Sequence, residues 1–166
     1  MAVTLRESVN RVSDPKNLDE SVEEVFRLML GVDCRCHAAA GPALQASEEK
    51  ESVTAVVGIG GLLSGACVFR SGARAAQNIA ARMTNMSFKS VDETVQDGIG
   101  EICNMLAGVW KSKVPGLAAN CGLSVPAVIT GRNYNLRVLA PEFEIRRHYS
   151  FENVGFEVSI VCDGLH

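Results

Sequence analysis

The sequence predicts an α+β fold, with long amphipathic helices packed on a mostly antiparallel β-sheet. Three observations predict it. Ser90 to Pro115 reads as one long helix with an apolar stripe. Strand-like segments come in pairs around turn residues, at Gly60-Gly61 and at Glu152-Asn153. No regular βαβ alternation runs through the 166 residues, and that length fits one domain, 1–166.

In chain order, residues 1–16 read as a polar lead-in ending in Asp14-Pro15. Asn17 with Glu20 resembles a capping box. A helix follows with Leu18, Val22, Val25, Phe26 and Met29 on one side, and Gly31 stands where a C-terminal glycine is expected. Residues 32–46 are ambiguous, compatible with a short strand and a loop through Gly41-Pro42. Ser52 to Ile59 and Leu63 to Phe69 read as an antiparallel hairpin turning at Gly60-Gly61. Ala73 to Met83 is a helix with Ala76, Ile79, Ala80 and Met83 inward. Strand character returns at Leu123 to Thr130, Leu136 to Leu139, Phe143 to Tyr149 and Phe156 to Val161.

The long helix between these segments has a capping box of its own in Ser90 and Glu93. Val95, Ile99, Ile102, Leu106, Val109 and Trp110 recur at steps of three and four and must face a core. Lys111 and Lys113 complement the helix C-terminus, and Pro115 with Gly116 stops it. On the opposite side Asp97, Glu101, Asn104, Gly108 and Lys111 line one ridge. Glu101 and Asn104 stand side by side there, an anion next to a carboxamide. Gly98, Gly100 and Gly108 are costly inside a helix, about 1 kcal/mol each relative to alanine. Close approach of a large body to the ridge would compensate. The competing reading is a solvated helix face with tolerated glycines.

Composition narrows the function. A net charge of −3 with interspersed signs and 5% aromatic residues argues against nucleic acid. No apolar signal core opens the chain and no apolar run approaches membrane length, so a cytoplasmic protein is the expectation. The six cysteines (34, 36, 67, 103, 121 and 162) form no C-x-x-C pair and read as buried thiols. Cys34-Arg35-Cys36-His37 lacks the second half of a metal site, and the role of these residues stays open. Gly58-Ile59-Gly60-Gly61 precedes a strand rather than a helix, so it is no dinucleotide fingerprint. Ser64 lacks the spacing of a nucleophile elbow. His37, His148 and His166 supply no convincing general base, so a self-contained hydrolase is hard to build.

An internal echo singles out the ridge further. Glu24, Arg27 and Gly31 on the first helix repeat the spacing of Glu101, Asn104 and Gly108 on the long one. A duplicated unit with a pseudo-two-fold layout would place Arg27 where Asn104 stands; a chance match is the competing explanation.

Asp97-x-x-x-Glu101-x-x-Asn104, continuing to Gly108 and followed by Pro126, resembles the signature of the CheC/CheX family of chemotaxis phosphatases. The order of elements over residues 17–163 is similar too, and a single signature with a degenerate first helix is more similar to the CheX branch than to two-site CheC. The resemblance implies hydrolysis of the phospho-aspartate of a CheY-type response regulator. The carboxamide matching Asn104 would orient the attacking water, and the acid matching Glu101 would pair with the regulator's lysine. Asp97, Gly98, Met105 and Gly108 would then contact the partner. No cofactor or metal of the chain's own is implied, since Mg²⁺ comes with the regulator. A homodimer pairing across a sheet edge left by the late strands is also implied. The leading alternative is a non-catalytic module that binds a regulator through the same ridge, and a further one is a purely structural domain.

Overall fold

Asp14 opens the first helix. Its extended backbone and its carboxylate, which accepts from Lys16 N at 3.0 Å, cap α1 (Pro15–Leu30) with Pro15 in the first turn. The expected Asn17 box is therefore displaced, because an aspartate followed by proline supplies cap and first turn earlier. Asn17 instead donates to the Arg11 carbonyl at 3.3 Å. Residues 10–12 are already helical and Val12 is buried, so the polar lead-in ends sooner than 16. Gly31 closes α1 in the left-handed region at φ 65°, as its position predicts. The structure, a computed structural model, describes residues 10–38, 51–137 and 141–165.

After α1 come β1 (Arg35–His37), β2 (Ser52–Gly61), β3 (Leu63–Gly72) and α2 (Ala73–Thr84). The long helix is α3 (Glu93–Lys113). Its N-cap is Asp92, which accepts from Val95 N at 3.0 Å, not Ser90. Aspartate caps as well as serine does, and this register puts Glu93 in the first turn, where the helix dipole favours an anion. A short α4 (Leu117–Asn120) leads into β4 (Cys121–Leu123) and β5 (Ala127–Gly131), then β6 (Phe143–Phe151) and β7 (Val154–Leu165). Residues 124–126 interrupt the strand read over Leu123 to Thr130. Leu136 and Arg137 are not strand, and residues 138 and 139 of that segment lie outside the described residues, as do Gly41 and Pro42. The turn between β6 and β7 falls at Glu152-Asn153 as expected, both with positive φ (46° and 64°).

One antiparallel sheet results, in the order β1-β6-β7-β3-β2-β4, with β5 also on β2. This order carries the duplication. Each half is a helix, an edge strand and a hairpin, and each edge strand pairs with the first strand of the other half's hairpin. Thus β1 lies on β6, β4 and β5 lie on β2, and β3 meets β7 at the centre. A two-fold operation between β3 and β7 exchanges α1 with α3. Strand β7 is thus interior, contrary to the expected edge. Of the two late strands only β6 lies near the sheet's end, where β1 pairs with it at His148, Tyr149 and Ser150.

The three long helices share one core against the sheet, including Leu18, Val22, Ile79, Ile99, Ile102, Leu106 and Trp110. Phe156 of β7 sits at its aromatic centre, stacked on Phe26 at 4.7 Å, Phe69 at 5.1 Å and Tyr149 at 5.4 Å. All six cysteines are free. Four are buried, Cys34 is half-buried with its thiol pushed up to about 12 by burial and neighbouring carboxylates, and Cys36 is exposed near Asp19. Among the described residues no helix is long and apolar enough to cross a membrane.

Candidate active site

Helix α3 buries Val95, Ile99, Ile102, Cys103, Leu106 and Trp110, which turns the Asp97–Lys111 ridge outward. Asp97 and Glu101 are exposed, whereas Asn104 and Gly108 are half-buried. Among the described residues neither Glu101 nor Asn104 makes a hydrogen bond or ion pair. Lys111, read as a ridge member, turns away from the ridge. Its ammonium donates to the carbonyls of Ala118 at 2.9 Å and Cys121 at 2.6 Å.

Of the three glycines, only Gly100 is crowded by the chain itself, whereas Gly98 and Gly108 leave room for a Cβ in ordinary contact. A Cβ on Gly98 would stand 3.5 Å from Met83 Sδ and 3.7 Å from Ala80 Cβ, so Gly98 faces α2. A Cβ on Gly100 would stand 3.3 Å from Val128 Cγ2 and 3.4 Å from Pro126 Cβ. One on Gly108 would lie 3.9 Å from Leu123 Cδ1. The ridge is therefore the floor between two flanks, α2 on the Gly98 side and the 123–128 segment on the Gly100 side. Met105, four residues beyond Glu101, is half-buried and packs against the core on the Gly98 side. Ser124 fixes the second flank: its hydroxyl accepts from Gly58 N at 2.8 Å, and its own N–H donates to the Gly58 carbonyl at 2.9 Å. Sequence reasoning picked the ridge but not these flanks. Glycines on two sides of one helix, at 98 and 100, were the available signal that two neighbours come close.

The pseudo-equivalent ridge on α1 is engaged in surface ion pairs. Glu24 accepts from Lys113 Nζ at 2.7 Å, across to α3. Arg27 is held by Glu23 at 2.7 Å and by Asp33 at 2.6 Å. Its guanidinium is stabilised in the charged form chiefly by the Asp33 hydrogen bond. Among the described residues His37 and His148 stand elsewhere, on β1 and β6 at the far end of the strand order; His37 Nε2 is bonded to Ser150 Oγ at 2.6 Å. Among the described residues no three His, Cys, Asp or Glu side chains gather to hold a metal ion. The α3 ridge thus offers a carboxylate, which only accepts, beside a carboxamide, which both donates and accepts without titrating.

Known proteins match this chain in sequence and in fold. The family model of the chemotaxis phosphatase CheX matches residues 53–146. The CheY-P phosphatase CheX of Thermotoga maritima is 28% identical over 118 residues, covering 70% of this chain and 75% of that protein. The chemotaxis protein CheX from Vibrio vulnificus matches in structure with a TM-score of 0.73 at 19% identity, covering 89% of this chain and 94% of that one. A chain of the CheX–CheY–BeF3–Mg²⁺ complex from Borrelia burgdorferi matches with a TM-score of 0.67 at 18% identity, covering 90% of this chain and 97% of that one. At these identities the structural matches are likenesses of fold.

Proposed function

This chain belongs to the chemotaxis phosphatase CheX family, and from that premise we propose that it hydrolyses the phospho-aspartate of a CheY-type response regulator through Glu101 and Asn104. One observation carries the assignment: Glu101 and Asn104 stand uncommitted on an outward ridge, whereas the equivalent α1 groups are tied up in ion pairs. The solved complex of CheX with CheY, BeF3 and Mg²⁺ from Borrelia burgdorferi supports a regulator as the partner.

In this reading the electrophile and metal arrive with the partner, so the chain supplies position and charge. The Asn104 amide accepts from and donates to one water and holds it in line with the phosphorus. Prepaid ordering of that water lowers the entropic part of the barrier. The Glu101 carboxylate pairs with a cation at the regulator's phosphorylation site and fixes the docking register. Asp97 and Gly108 extend the same ridge at either end, and Gly98 and Met105 border it on the α2 side, as contacts for the docked partner.

The two ridges are tested in one assay of regulator dephosphorylation, fitting rate and half-saturation separately. Arg27→Ala should leave turnover nearly unchanged, since a guanidinium carries only donors and cannot accept from a water. Glu101→Ala should raise the half-saturation and slow hydrolysis. Activity lost in the arginine variant and kept in the glutamate variant would put the site on the other helix.

We also infer a homodimer. Among the described residues β6 has no strand partner on its outer side over 143–147, and an open edge is a template for pairing. Light scattering at micromolar concentration should give twice the 17.7 kDa of one chain; a monomer there counts against it.

A further inference from the structure

On an antiparallel sheet with one face packed, the second face is ordinarily open to water. Here it is not. Thr54, Val68, Ser159 and Val161 point away from the helices, yet their exposures are only 0%, 9%, 4% and 5%. The segment after β5 folds back over them. Tyr134 anchors it, accepting from Thr54 Oγ1 at 2.6 Å and donating to the Ile129 carbonyl at 3.2 Å. A cavity of about 530 Å³ lies between this segment and the sheet, in the size range of small-ligand sites.

The polar groups lining it are incompletely paired. The Ser159 hydroxyl forms part of the floor and makes no hydrogen bond among the described residues, so it is free to bond a ligand in the cavity. Arg70 and Arg137 line the walls, and neither makes an ion pair among the described residues. The Arg70 guanidinium instead lies 5.7 Å from the centre of the Tyr134 ring, which aims it without neutralising it. The cavity's carboxylates do not fill that role. Glu144 is taken by Arg146 through Nε at 3.0 Å and Nη2 at 2.6 Å. Glu157 faces Arg146 at 3.9 Å and His148 Nδ1 at 3.6 Å. The remaining floor is apolar, from Val68 and Val161.

We propose that this cavity binds a small organic anion. Its carboxylate or phosphate group is held by Arg70 and Arg137 within reach of the Ser159 hydroxyl, and its apolar part lies on Val68 and Val161. A guanidinium matches either oxyanion with a planar fork, and charge-assisted bonds of this kind are the strong ones. The site is on the sheet face away from α3, so it neither requires nor obstructs the ridge chemistry.

The test is an amide-resolved NMR titration of the full chain with hexanoate, phenyl phosphate and, as a control lacking an apolar part, inorganic phosphate. Hexanoate or phenyl phosphate should give saturable shifts at Arg70, Tyr134 and Ser159, with half-saturation on the order of 1 mM and tighter than inorganic phosphate. Preference for one of the two organic probes identifies the oxyanion. Arg70→Gln and, separately, the exposed Arg137→Gln should each weaken binding about tenfold, which corresponds to about 1.4 kcal/mol, while regulator dephosphorylation stays as in the unmodified chain. The proposal is overturned by the absence of saturable shifts from both organic probes, by equal binding in both arginine variants, or by shifts confined to α3. Shifts at these residues that follow protein concentration alone would give the cavity to a second copy, and would overturn it as well.

Discussion

Asn104→Ala should cost roughly 30- to 1,000-fold in regulator dephosphorylation, about 2–4 kcal/mol in the barrier, the scale of deleting one preorganised polar contact to a transition state. The loss should fall on the rate at saturating regulator rather than on half-saturation, because the amide acts on the water and Glu101 carries the docking charge. The fold should survive. Asn104 is half-buried and makes no hydrogen bond among the described residues, so alanine orphans no partner. Alanine also favours the helix. An unchanged rate would remove Asn104 from the site.

The largest effect on stability is expected at Phe156→Ala. This ring is fully buried and lies within 4.7–6.2 Å of Phe26, Phe69, Tyr149 and Phe151, measured between centroids. Those partners come from α1, β3 and β6, so one side chain ties both halves of the duplicated fold. A buried Phe→Ala change costs about 3–5 kcal/mol through lost transfer energy and the cavity left behind. For a chain of this size that lowers the melting temperature by roughly 6–20 °C. Thermal unfolding followed by circular dichroism measures it, and a shift of a degree or two would mean that this cluster is not the centre of the core.

Periodicity and turn chemistry made most of the fold legible. The Val95–Trp110 stripe placed α3 and its outward ridge, and Glu152-Asn153 placed the last turn. The spacing shared by Glu24, Arg27 and Gly31 with Glu101, Asn104 and Gly108 anticipated a two-fold relation that the strand order then displays. What stayed hidden was decided by tertiary contacts. Ser90 and Asp92 are both good caps, and only the extended backbone at Asp92 chooses between them. Strand order cannot be read from hydropathy, so β7, with a pattern much like that of an edge strand, proved central. Gly98 and Gly100 announced close neighbours without naming them, and the neighbours are Ala80, Met83, Pro126 and Val128 of this chain. Lys111 looked like a ridge cation, but its reach to Ala118 and Cys121 depends on how α4 folds back. That Glu101 and Asn104 share one outward ridge was legible from helical spacing, whereas a role for them came only from the resemblance. The flanks that shape the ridge's surroundings were not legible.

The most direct measurement follows the decay of a phosphorylated CheY-type regulator in the presence of Mg²⁺, with the unmodified chain added at a small fraction of the regulator's concentration. Dephosphorylation should accelerate in proportion to the chain added and saturate with regulator, with many turnovers per chain. A decay rate indifferent to the chain, for a regulator shown to bind it, would contradict catalysis at Glu101 and Asn104 and leave the ridge as a docking surface.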